Sequence, residues 1–177
     1  MASSPYIKNI AFDLDGVIRN LYKPLEKIYG FKIEGYNFTH KGMDFWDMIK
    51  ENSEVWTHAP VTKYYKIIKQ YVPKIEIWTF QKNYSRVDTE HWIAKHFDNY
   101  DVKYFSSGSD KYKYLREQHD YMLVEDTSSF ADYTRVILID QPWNKHITDA
   151  YRVSTAPQLE EILKGFYKLC PSIPKKH

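Results

Sequence analysis

The sequence predicts an α/β fold in which a parallel sheet carries helices on both faces, and three observations predict it. Short apolar runs alternate with segments of helical periodicity along most of the 177 residues, the pattern of strands joined by crossover helices. The run Ile10, Ala11 and Phe12 is apolar at consecutive positions, as in a central parallel strand covered on both faces. That run ends in Asp-Leu-Asp-Gly, which places carboxylates at the carboxyl end of a strand, where sheets of this kind collect ligands.

Residues 6–12 form the first predicted strand, stopped by the Asp-Leu-Asp-Gly turn. Beyond it, Leu25, Ile28 and Tyr29 fit one face of a short helix and Phe45, Trp46 and Ile49 fit a second, while Gly30, Gly35 and Gly42 interrupt any longer element. At about 40 residues this stretch is too long for an ordinary connection in a compact domain. It is therefore expected to be a small insertion, residues 19–59, over the end of the first strand, with residues 1–18 and 60–177 making the core. After Pro60, Val61, Tyr64, Tyr65 and Ile68 recur at helical spacing, to about residue 71. Residues 74–80, KIEIWTF, alternate as a second strand. Tyr84, Val87, His91 and Ala94 share one face of the next helix, residues 100–105 read as a third strand, and a Ser-Ser-Gly-Ser-Asp turn leads into a helix over about 111–118. Residues 121–125 and 135–139 are further strands, and the SSFADY connection between them has room for barely one helical turn. A polar loop with Pro142 covers 140–149. It is followed by a short strand at 151–153 and a terminal helix marked by Leu159, Ile162, Leu163 and Phe166. The last residues, PSIPKKH, are expected to be loose.

Composition removes several function classes. With 25 basic and 23 acidic residues the formal charge is +2, which gives little drive towards nucleic acid or an anionic membrane. The single cysteine, Cys170, excludes an intrachain disulfide and a multi-cysteine zinc site, and suits a reducing cytoplasm. No apolar run approaches the ~20 residues that span a bilayer, and MASSPYIKN lacks the regions of a secretory signal. A cytoplasmic protein with no membrane association is expected. The histidines are scattered without metal-ligand spacing. Sixteen tyrosines, nine phenylalanines and five tryptophans are many for this length, but aromatic residues fill cores more often than they bind ligands.

Four strand or turn ends carry reactive side chains: Asp13 and Asp15, then Thr79, then Lys111, then Glu125 with Asp126. In a parallel sheet these ends share one edge. Carboxylates at the end of a buried strand need compensation, and a hard divalent cation is the usual one, so the set points to a phosphate-handling site. Each residue also has a plainer reading. A lone DxDG can be a solvated turn or a calcium-loop fragment, and Thr79 can be an ordinary strand threonine. Lys111 competes with Lys113 and, less well, with Lys82, since lysines are mostly surface residues. Glu125 either orients a metal-bound water or solvates its loop.

In type and order, the DxDG, the hydroxyl, the lysine and the acidic pair resemble the haloacid dehalogenase superfamily of aspartate-nucleophile phosphatases, over about residues 6–20 and 60–140. Within that superfamily the chain is most similar to the 5'(3')-deoxyribonucleotidases. The similarity lies in the insertion directly after DLDG, the helix around YSRVDTEHWIAKHF, the SDK at Lys111, and VILIDQPWN after the acidic pair. The resemblance implies a Rossmann-like core with a small helical cap after the first strand. It implies a Mg²⁺-dependent phosphomonoesterase that works through an aspartyl-phosphate, with a small-molecule phosphomonoester, a (deoxy)nucleoside monophosphate, as substrate. Asp13 would be the nucleophile and Asp15 the acid and then the base. Mg²⁺ would be held by Asp13, the backbone carbonyl of Asp15 and Asp126. Thr79, Lys111 and the backbone at Leu14 and Gly16 would bind the phosphoryl group. Phe45, Trp46 and Trp56 are candidates for stacking on a base, against the plainer expectation that they fill the cap's own core. QPWN, residues 141–144, is either a loop that positions the metal-site loop or an ordinary proline turn. A homodimer is compatible with the resemblance. The same chemistry on a sugar phosphate, a nucleic-acid end or a phosphoprotein is the enzymatic alternative, and a non-catalytic phosphate- or nucleotide-binding module is the alternative of another class.

Overall fold

The computed structural model describes residues 7–35 and 38–169. Six strands form one parallel sheet: β1 (Asn9–Phe12), β2 (Ile75–Phe80), β3 (Tyr100–Phe105), β4 (Tyr121–Glu125), β5 (Val136–Ile139) and β6 (Tyr151–Val153). Their spatial order is β3-β2-β1-β4-β5-β6, so the direction of winding reverses beside β1. This is an α/β, Rossmann-like fold, and the reversal opens a crevice between the carboxyl ends of β1 and β4.

The side-chain period of 2 along the strands builds two apolar layers. Ile10, Phe12, Ile75, Ile77, Val124, Ile137 and Ile139 point to one layer, where they meet Ile68, Trp92, Ile93, Leu159 and Leu163 from α4 (Tyr65–Tyr71), α5 (Arg86–His96) and α7 (Ala156–Leu169). Ala11, Trp78, Leu123, Val136 and Leu138 point to the other, against Leu115 of α6 (Gly108–Glu117) and against Phe130 and Tyr133. Because both faces are covered, the central strands read as unbroken apolar runs.

Residues 21–59 pack around a third apolar cluster of their own, in which Leu21, Leu25, Ile33, Met48, Ile49 and Val55 are all buried. The segment contains α1 (Tyr22–Tyr29), α2 (Phe45–Glu51) and α3 (Glu54–His58). Helix α1 stops at Gly30, which takes the left-handed φ of +74°. Helix α2 starts at a capping box, with Asp44 accepting from the N–H groups of Trp46 and Asp47 and the Asp47 side chain accepting from the Asp44 N–H. The chain leaves for this segment and returns from it along paired backbone: Asn20 N–H donates to Pro60 O and Thr62 N–H to Ile18 O, both at 2.8 Å.

Several local expectations are corrected. The helix expected from Val61 begins at Tyr65, because Val61 is held in a bridge to Arg19. Helix α3 was not foreseen, and SSFADY contains no helix. Tyr84, Val87, His91 and Ala94 mark the solvent side of the α5 region, and the buried side is Thr89, Trp92 and Ile93. The strand predicted at 6–12 is seen from Asn9, while Tyr6 and PSIPKKH lie outside the described residues. Among the described residues no helix is long and apolar enough to cross a membrane.

Ile137 is fully buried in β5 between β4 and β6. Ile137→Ala is expected to lower unfolding free energy by roughly 2–5 kcal/mol in urea titrations, through lost burial and an unfilled cavity.

Candidate active site

The carboxyl ends of β1, β2 and β4 bring together Asp13, Thr79, Glu125 and Asp126, all buried. Asp13 follows β1 directly, and its N–H continues the ladder to Val124 O at 2.8 Å. Lys111 arrives from α6, whose N-cap is Ser107: its hydroxyl accepts from the Asp110 N–H, and the Lys111 N–H donates to its carbonyl. This start puts Lys111 in the first turn, facing inward. Its ammonium lies 2.7 Å from Asp13 Oδ1 and 2.5 Å from Glu125 Oε2. Lys113 and Lys82, its competitors in the sequence, are exposed.

Glu125 has two roles. Oε1 accepts from the backbone N–H groups of Asp126 and Thr127, bending the chain out of β4, while Oε2 pairs with Lys111. The Asp126 carbonyl accepts from Trp143 Nε1 at 2.8 Å and from Asn144 Nδ2 at 2.9 Å. Asn144 also donates to Ile139 O and accepts from Arg152, so the QPWN turn is tied to both β5 and the Asp126 loop. On its other side Asp126 packs against Gly16, where a Cβ would stand 1.9 Å from Asp126 Oδ2, and Gly16 has a φ of +87°. Glycine is required there by conformation and by space.

One carboxylate oxygen each from Asp13, Glu125 and Asp126 lies within 4.8 Å of the others. Among the described residues, the buried carboxylates of Asp13, Glu125 and Asp126 share the site with the Lys111 ammonium, an excess of negative charge that is costly without a cation. All-oxygen donors at this spacing, with Gly16 making room for the Asp126 carboxylate, fit a hard divalent ion such as Mg²⁺. The Asp13 carboxyl has a pKa pushed up to about 8, by burial first and then by the charge of Glu125, while Lys111 pulls it down. Burial also opposes the charge on Lys111, but Asp13 and Glu125 outweigh it and hold its pKa above the ordinary lysine value.

The Asp15 carboxylate is not part of the acidic group. It turns towards Arg19 and Gln81, with Arg19 Nε 2.6 Å from Oδ1, Arg19 Nη2 3.1 Å from Oδ2 and Gln81 Nε2 2.6 Å from Oδ2. Any contribution of Asp15 to a metal would therefore come from its backbone. Gln81 also donates to the Thr79 hydroxyl at 3.2 Å, joining Thr79 to Asp15. The Leu14 side chain is buried in the core, so only its backbone faces the question of phosphate binding. Phe45 and Trp56, candidates either for stacking on a base or for a local apolar core, are interior to the apolar cluster of residues 21–59, with Trp56 only 1% exposed and overlain by Arg19 at 5.1 Å. Trp46 is half-buried and meets the ring of Phe80 edge-on at 5.5 Å. Arg19, Gln81 and Thr89 went unread in the sequence. The only local signal was a basic residue four positions after Asp15.

Among proteins of known structure, a haloacid dehalogenase-like family hydrolase from Xanthomonas campestris superposes on this chain with a TM-score of 0.52, covering 94% of this chain and 99% of that one at 9% identity. No family model matches the sequence, and no curated protein matches it. The likeness is one of fold, and the fold is of the haloacid dehalogenase-like type.

Two consequences can be measured. Gly16→Ala is expected to destabilise the protein by roughly 2–4 kcal/mol in urea titrations, because the new methyl both strains φ and displaces Asp126. The second concerns pH. A carboxyl raised in the folded state keeps a proton that the unfolded chain has lost, so its contribution to stability is full below about pH 4 and declines as pH rises to about 8. In chelator-treated protein, Asp13→Asn should remove this decline, and its stability relative to the unmodified chain should rise between about pH 5 and about pH 8.

Proposed function

We propose that the chain is a phosphomonoesterase of the haloacid dehalogenase type with Asp13 as its nucleophile. The observation that carries this reading is the buried Asp13–Lys111–Glu125 arrangement beside Asp126 at the β1/β4 crevice. A carboxylate there is held by an ammonium, in line with a strand, at the one place where the fold's winding opens a ligand crevice.

In this reading an Asp13 carboxylate oxygen forms a bond to phosphorus, the ester P–O bond breaks, and Asp15 gives its proton to the departing alkoxide. Asp15 then takes a proton from water as that water attacks phosphorus, releasing inorganic phosphate and returning Asp13. Thr79, whose hydroxyl oxygen accepts from Gln81, turns its own O–H proton to a phosphoryl oxygen, and Lys111 balances the charge that gathers on the phosphoryl group. The backbone at Leu14 and Gly16 completes the phosphate cradle. Mg²⁺, held by Asp13, Asp126 and the Asp15 carbonyl with Glu125 alongside, would supply the positive charge that lets an anionic ester approach an anionic nucleophile.

Residues 19–59 act as a cap that covers the site and selects the leaving group. A nucleoside monophosphate is the substrate class we favour, and the motifs after DLDG and around VILIDQPWN support it. With Phe45 and Trp56 inside the cap, Trp46, which meets Phe80, is the one of the three aromatic candidates left for a base.

Inorganic phosphate release over a panel of nucleotides, sugar phosphates and a phosphopeptide, with Mg²⁺ and with excess chelator, tests the proposal. Mg²⁺-dependent release is expected, with nucleoside monophosphates giving the highest kcat/KM and Asp13→Asn losing at least about 10³-fold. No release from any ester by folded, Mg²⁺-loaded protein would overturn it.

A further inference from the structure

Arg19 is fully buried, and among the described residues the carboxylate it pairs with is Asp15. The pairing is a fork on both oxygens, Nε to Oδ1 at 2.6 Å and Nη2 to Oδ2 at 3.1 Å. The remaining donor, Nη1, reaches Trp56 O at 3.1 Å and the Thr89 hydroxyl at 3.3 Å. The guanidinium lies 5.1 Å from the ring centroid of Trp56 and 5.5 Å from that of Trp92, so its flat faces are packed as well as its edges bonded. Every degree of freedom of this side chain is taken up before it meets Asp15.

Gln81 is built in the same way. It is 2% exposed, and its carbonyl oxygen accepts from the hydroxyls of Ser85 at 3.0 Å and Thr89 at 3.5 Å. Those bonds leave its NH₂ to face Asp15 Oδ2 at 2.6 Å and Thr79 Oγ1 at 3.2 Å. Stability alone is a poor reason for this arrangement, because burying a guanidinium carries a desolvation penalty that apolar side chains of the same volume avoid. Orientation is a better one, since a planar fork fixes a carboxylate in both position and rotation.

We propose that Arg19 and Gln81 are positioning residues that hold the Asp15 carboxylate in one orientation against the ester oxygen. The inference rests on the phosphatase reading above, in which Asp15 serves that oxygen. It identifies what makes Asp15 effective: a buried fork from α5's side of the crevice, built from residues other than those of the Asp13–Lys111–Glu125 group.

The test compares Arg19→Lys and Gln81→Met with the unmodified protein, in Mg²⁺, on a simple alkyl phosphate and on p-nitrophenyl phosphate. The alkyl leaving group needs a proton and the nitrophenolate does not. A misplaced Asp15 should cost kcat about a hundredfold on the alkyl ester and less than about tenfold on the aryl ester, with KM within about threefold on both. Equal losses on the two esters would mean that these residues only support the fold, and unchanged kcat on both would mean that they do nothing for Asp15; either result overturns the inference. If Arg19→Lys lacks a cooperative urea transition, Gln81→Met decides on the same criterion. An unmodified protein inert towards both esters would instead overturn the phosphatase reading, and this inference with it.

Discussion

The C-terminal edge of the sheet depends on one shared cation, Lys111, placed between Asp13 and Glu125 at 2.7 and 2.5 Å. Without it, Asp13 and Glu125 would lose the ammonium that joins them in a buried group of three carboxylates. The structure spends several elements on that placement. Ser107 sets the first turn of α6, Glu125 folds its own chain by accepting two backbone N–H groups, and Trp143 and Asn144 fix the loop that carries Asp126. The lysine reduces the charge imbalance without removing it. The residual negative charge is what makes an oxygen-coordinated divalent cation the natural complement of the site.

A second network, made of other residues, surrounds Asp15. Arg19 and Gln81 connect it to Thr79 of β2, to Thr89 of α5 and to the backbone of Trp56 in α3. The two aspartates of one Asp-Leu-Asp turn thus live in different electrostatic surroundings, Asp13 against an ammonium and acidic neighbours, Asp15 against a guanidinium and an amide. Neighbouring carboxylates with divergent environments can take different chemical roles, and the turn between them needs Gly16 for its left-handed backbone and for the room that Asp126 fills.

The fold was legible because its signals are local. The alternation of Ile75, Ile77 and Thr79, the unbroken run at Ile10–Phe12 and the turn signals between runs are properties of neighbouring residues, and the sheet follows from them. The positions of Asp13, Thr79, Lys111 and Asp126 at one edge were legible for the same reason, since each lies at or just beyond the carboxyl end of a strand and parallel strands share an edge. What escaped is what depends on contacts across the chain. Arg19 reads as the first residue of an insertion until Thr89, 70 positions away, is seen beside it. Helix α5 misleads because its buried side carries Thr89 while Val87 and Tyr84 face solvent, so the apolar pattern points the wrong way. Trp56 stayed open between a ligand surface and a core position because nothing in its neighbourhood announces that Arg19 lies over its ring.

The geometry and the proposed chemistry meet at Asp13, where a covalent intermediate implies two displacements at phosphorus rather than one. The most direct measurement is the stereochemical course of phosphoryl transfer to water, or to an acceptor alcohol, from an ester made chiral at phosphorus with oxygen isotopes. Attack by Asp13 followed by attack on the aspartyl-phosphate predicts net retention of configuration. Inversion would show that the acceptor attacks phosphorus directly and that Asp13 is not the nucleophile.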